Sequence, residues 1–121
     1  AAMTIWRTED TPFIWGQLMR LVGGFSPSTP MLGIYSLIES ILCEEGFTSF
    51  QADLEKHPEM NERQKRKVMF AFAERFGRSD VLEQDVNVPG WEAQMVYDLT
   101  AQYEADLANI NAISGVRLVL P

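Results

Sequence analysis

Residues 29–46, TPMLGIYSLIESILCEEG, decide the reading of this chain. Thr29 and Pro30 are start signals for a helix: a hydroxyl able to cap free N–H groups, then a ring whose fixed φ suits the first helical position. Gly46 is a stop signal. Between them Met31, Leu32, Ile34, Tyr35, Leu37, Ile38, Ile41 and Leu42 cover more than half of a helix circumference. That spacing predicts the central, most buried element of the fold. The charge-free run from Leu21 to Ile38 raises the question of a membrane span. Gly23, Gly24, Pro27 and Pro30 interrupt it. A spanning helix could not satisfy its backbone there, so the run reads as helix, loop, helix.

The same punctuation extends outward. Upstream, Thr11-Pro12 opens a helix with Thr11 as its cap, and Gly23-Gly24 stops it. Its apolar stripe is Ile14, Trp15, Leu18, Leu21 and Val22. Downstream, Thr48 with Gln51 has the spacing of a capping box for a short helix that Pro58 ends. Asn61 with Gln64 repeats the device for a helix that closes at Gly77. Its core stripe is Val68, Met69, Phe72, Ala73 and Phe76. A longer helix runs from about Trp91 to Ile113, with Gly115 beyond its end. Residues 79–90 divide between a helical turn at 79–83 and an alternating segment, Val86-Asn87-Val88. Residues 3–7 and 116–120 alternate like short strands, each needing a neighbour, either the other or a partner chain. The expected fold is mainly α: a single-domain bundle of four to five helices over residues 1–121, with minor β at the N- and C-terminal ends. Ala1 and Ala2, ahead of Met3, are set aside as a cloning scar.

Composition narrows the function classes. Of 121 residues, 46% are apolar and 22% charged, which is ordinary for a globular domain. One cysteine excludes an internal disulfide framework and a cysteine zinc cage, and one histidine excludes a His-rich metal site. Neither a metal nor a cofactor is expected. Glu9 and Asp10 come early and no basic-then-apolar leader is visible, so with the lone Cys43 the expected setting is cytoplasmic. A formal net charge of −7 argues against a general nucleic-acid coat. A helix-turn-helix reading fails as well. Placing Ala52 at its small position puts Lys56 where a turn glycine belongs and Glu62 where an apolar anchor belongs. Neither a nucleic-acid nor a membrane partner is expected.

The charges are not evenly spread. Arg63, Lys65, Arg66, Lys67, Arg75 and Arg78 are six of the ten basic residues. Against Glu62 and Glu74 they give residues 61–78 a net of +4. Residues 79–116 hold no Lys or Arg and seven acids. Basic residues at the start of the 61–77 helix, and Glu44 and Glu45 at the end of the 29–46 helix, both oppose the helix dipole. Two accounts offset that cost. Either the basic end packs near the acidic end of the 29–46 helix or along the 91–113 helix, or an acidic ligand or protein surface docks on it.

Candidate sites follow from helical projection. Phe70 points away from its core stripe, with Arg63, Arg66 and Lys67 around it. An aromatic ringed by cations suits stacking on a ligand or partner, although a contact with a neighbouring helix under Lys and Arg stems gives the same pattern. On the 91–113 helix Asp106 projects into the apolar arc beside Tyr103. The pair is a candidate buried polar anchor, with a structural ion pair or a hydroxyl such as Tyr35 as the alternative partner. Trp6, Val116, Leu118 and Leu120 are interface candidates on the terminal segments. Cys43 and His57 show no spacing that brings them together, so no catalytic residue is named. The function expected is a non-enzymatic protein–protein interaction module of inhibitor, immunity or adaptor type, binding another protein or itself as a homodimer. The alternative is a small-ligand binder with an apolar cavity between helices 31–45, 62–76 and 91–113.

Overall fold

A computed structural model of the chain describes residues 2–82 and 88–121. Among them the architecture is mainly α with minor β. Strand β1 (Met3–Trp6) is followed by a 3-10 turn (Thr8–Asp10) and helices α1 (Thr11–Gly23), α2 (Ser36–Ile41), α3 (Glu44–Lys56), α4 (Glu62–Phe76), α5 (Ser79–Leu82) and α6 (Ala93–Asn111). Strand β2 (Val116–Val119) closes the order. The alternating segment expected at 86–88 lies, but for Val88, outside the described residues. The chain clusters into two compact units: residues 7–84 with 120–121, and residues 1–6 with 85–119.

The larger unit corrects the decisive stretch. Residues 29–46 are not one helix. Gly33 sits at φ +71°, where only glycine is unstrained, and turns the chain before any helix begins. Ser36 Oγ donates to Gly33 O at 2.6 Å, and α2 starts there. Leu32, expected on the buried face, is fully exposed in this turn. After six residues Leu42 turns extended, and α2 ends.

What ends α2 is a tertiary backbone clamp. Leu42 forms an antiparallel bridge with Gly77. The Cys43 N–H donates to Phe76 O at 2.9 Å, and the Arg78 N–H donates to Ile41 O at 2.8 Å. Helix α3 then begins with Cys43 as its cap, the thiol accepting the Gly46 N–H at 3.4 Å. Gly46 is therefore inside a helix, not at its end. A Cβ there would overlap the Phe76 side chain, so this glycine buys closeness between α3 and α4. Thr48 and Gln51 lie mid-helix rather than in a capping box. Glu44 and Glu45 fall in the first turn of α3, where the dipole favours acids, so the expected mismatch at that end does not exist.

Other local signals hold. Asn61 Oδ1 accepts from Gln64 N at 2.9 Å and Gln64 Oε1 accepts from Asn61 N at 2.8 Å, a complete capping box for α4. Helix α1 begins at Thr11 with Pro12 in its first turn; its cap position is Asp10, and Thr11 Oγ1 donates back to Thr8 O. It ends at Gly24, φ +66°. The core gathers Ile38, Ile41, Leu42, Phe50 and Met69, all buried. Phe50 is its centre. Tyr35 and Phe72 both meet its ring edge-on, at 5.4 and 5.7 Å between centroids.

The smaller unit is β1, α6 and β2. The two strands pair in parallel, with Met3 opposite Val116 and Trp6 opposite Val119. A parallel pair needs a long crossover, which the intervening chain supplies. The Leu118 N–H donates to Asn111 Oδ1 at 3.3 Å, tying β2 to the end of α6. The expected pairing of the terminal segments is thus present.

Gly46→Ala tests the clamp. Forcing a methyl against Phe76 is expected to cost about 1–3 kcal/mol, the usual range for overpacking. Denaturant unfolding of an unstrained mid-helix glycine replaced by alanine would instead show a gain.

Candidate functional site

Two surfaces collect the sequence candidates, one in each unit. In the larger unit α4 carries the basic face. Phe70 does not project freely from it. Its ring stacks on Phe13 of α1, centroids 4.1 Å apart and 15° from parallel, and the residue remains 43% exposed. Arg66 Nη1 donates to Gln17 Oε1 at 3.3 Å, a second tie to α1. Arg63 and Lys67 flank Phe70 by helical projection and are exposed. Lys65 pairs only with Glu62, one turn back on its own helix, at 3.5 Å. Arg75 lies over the Phe76 ring at 5.1 Å. Arg78 grips Asp80 at 2.7 Å, and that hydrogen bond holds the Asp80 carboxyl below its usual range. Among the described residues no ion pair joins α4 to Glu44 or Glu45.

A cavity of about 20 Å³ lies behind this face, against Phe13, Gln17, Arg20, Tyr35, Glu62 and Arg66. That is room for one water-sized molecule and not for an organic ligand. Burial, and then the nearby Glu62 carboxylate, push the Tyr35 hydroxyl above the ordinary tyrosine range. A second depression, along Glu39, Leu42, Glu44, Phe47, Thr48 and Gln51, encloses about 460 Å³ but opens widely. The third wall expected for a ligand cavity, residues 91–113, belongs to the smaller unit.

The smaller unit presents α6. Its arc of Met95, Val96, Leu99, Tyr103 and Ile110 follows helical spacing, yet these residues are 38–49% exposed; Ile113, 56% exposed, lies beyond the end of α6. Asp106 lies in that arc by projection. It is exposed, not buried, and accepts from Gln102 Nε2 at 2.8 Å on its own helix. Its expected burial is corrected because the arc it interrupts is itself uncovered. Tyr103 is 42% exposed in the same stripe. Val116 and Leu118 share one face of the β1–β2 pair and are half-buried, while Trp6, opposite Val119, lies on the other face and is exposed. Leu120 lies beyond β2 and is exposed.

Sequence reasoning missed the acid that is buried. Asp10 is 7% exposed and accepts a forked pair of bonds from Arg7, Nε to Oδ2 at 2.7 Å and Nη2 to Oδ1 at 3.3 Å. The signal was available as Arg and Asp three residues apart just before a helix. No known protein family, no curated protein and no solved structure matches this chain. Among the described residues no helix is long and apolar enough to cross a membrane.

Phe70→Ala discriminates the two readings of the basic face. One stacked pair at a half-exposed position is worth about 0.5–1.5 kcal/mol beyond its area. With the buried part of the ring added, a loss of about 1–3 kcal/mol in denaturant unfolding is expected. The loss of about 3–5 kcal/mol typical of a core phenylalanine would make Phe70 a packing residue only.

Proposed function

We propose that this chain works by binding another protein, as a non-enzymatic interaction module of inhibitor, immunity or adaptor type. The observation that carries the reading is the bare stripe on α6. A scattered exposed leucine needs no explanation, but five apolar residues recurring on one helical face form a patch. Helices of globular proteins cover such a stripe, because leaving it in water forfeits about 25 cal/mol for each Å² of apolar surface. The smaller unit alone leaves this one open. The charge layout supports the reading, since complementary fields steer protein encounters. We place the activity in the cytoplasm: Cys43 serves as a thiol cap and suits a reducing compartment.

The double variant Leu99→Ser, Tyr103→Ser tests this. Its melting temperature is expected to stay within a few degrees of the parent, since neither side chain is buried. Binding of an apolar fluorescent dye, and capture of one defined protein in reciprocal pull-downs, are expected to fall away together. Unchanged dye binding and unchanged capture would contradict the reading, and so would global unfolding of the variant.

A further inference from the structure

We infer that the partner of α6 is a second copy of this chain, and that it offers the basic face of α4. The inference rests on reading the α6 stripe as an interaction surface and names what covers it. Three observations converge. First, the stripe is marked by acids alone. Asp106 interrupts it, Asp98 flanks it, and no Lys or Arg occurs from residue 79 to 116. Among the described residues, the partner of each carboxylate is a neutral glutamine side chain on its own helix, Gln94 for Asp98 and Gln102 for Asp106. Two α6 helices laid together would set acid against acid at the centre of the contact, which like-charge repulsion opposes. A cationic surface is required instead.

Second, this chain carries one. Arg63 and Lys67 are exposed on α4, and neither meets a carboxylate among the described residues. Arg63 stands in the first turn, at the positive end of the helix dipole, which repels it, and Lys67 follows one turn on. An approaching carboxylate relieves that repulsion. Third, the two surfaces match in apolar content. Phe70, held rigid by its stack on Phe13, gives α4 one half-exposed ring among the cations. The α6 stripe offers Leu99 and Tyr103, which lie between the two acids along the helix. A rigid aromatic within a charged rim is the usual anatomy of an interface anchor.

A contact between different surfaces closes at a dimer only if it is reciprocal; otherwise it builds a ring or a filament. If α6 of each molecule lies on α4 of the other, the two contacts are related by a two-fold axis and the assembly stops at a dimer.

Charge reversal on the full chain tests this. One variant carries Asp98→Lys and Asp106→Lys on α6. The other carries Arg63→Glu and Lys67→Glu on α4. All four sites are exposed, and acids near the start of α4 suit its dipole, so both are expected to fold, with circular dichroism as the check. Sedimentation velocity of the parent is expected to show a dimer that weakens as salt is raised. Each variant alone places like charges at both contacts and is expected to be monomeric. Mixed in equal amounts, they restore opposite charges at both contacts and are expected to recover the dimer. A monomeric parent, a dimer unaffected by either variant, or a mixture that stays monomeric overturns the inference. If the mixture stays monomeric while the serine variant of α6 still loses a distinct captured protein, the interaction reading stands and only self-docking fails.

Discussion

Two backbone hydrogen bonds between residues 41–43 and 76–78 hold the larger unit together. Cys43 to Phe76 and Arg78 to Ile41 make up the Leu42–Gly77 bridge and fix the end of α4 against the joint between α2 and α3. Each satisfies a peptide group that a helix terminus would otherwise leave unpaired. Because the joint is fixed, α3 leaves it in the direction that carries Phe50 into the centre of the core. Because Gly46 has no side chain, α3 approaches Phe76 closely enough for this to happen. The buried cluster of Ile38, Ile41, Leu42, Phe50 and Met69 depends on that geometry.

What the sequence made legible follows from the range of the interaction involved. Signals that act within one turn were readable: the Asn61–Gln64 box, the stop at Gly24, the core stripe of α4 and the β character of both termini. The clamp was not readable, because its partners lie more than thirty residues apart and use backbone atoms that every residue has. Periodicity alone therefore carried the 29–46 helix past the joint into the first turn of α3 and missed Phe50, which sits on what looked like a minor helix. The all-round apolar pattern of residues 34–42 did report burial correctly. It could not report length, and Gly33 was the neglected sign that the helix starts late.

The candidate surfaces show the same division. Helical projection put Phe70 off the core stripe and Asp106 within an apolar arc, and both placements hold. Projection carries no information on what lies opposite. Phe70 turned out to face Phe13, and the side chains of the arc around Asp106 turned out to be half-exposed. An apolar stripe is read as core by default because water makes exposure costly. Where a unit leaves one bare, the cost is met elsewhere, and binding is the simplest way to meet it. In the interaction we propose, the opposite charges of α4 and α6 would supply direction and the apolar residues free energy.

Amide hydrogen exchange under native conditions tests the clamp most directly. If the joint organises the larger unit, the Cys43 and Arg78 N–H groups exchange only through global unfolding, with the same free energy as the amides of the buried segment around Phe50. Exchange at the fast rates of fraying helix ends, while Phe50 stays protected, would show that the core forms without the clamp and would contradict the account.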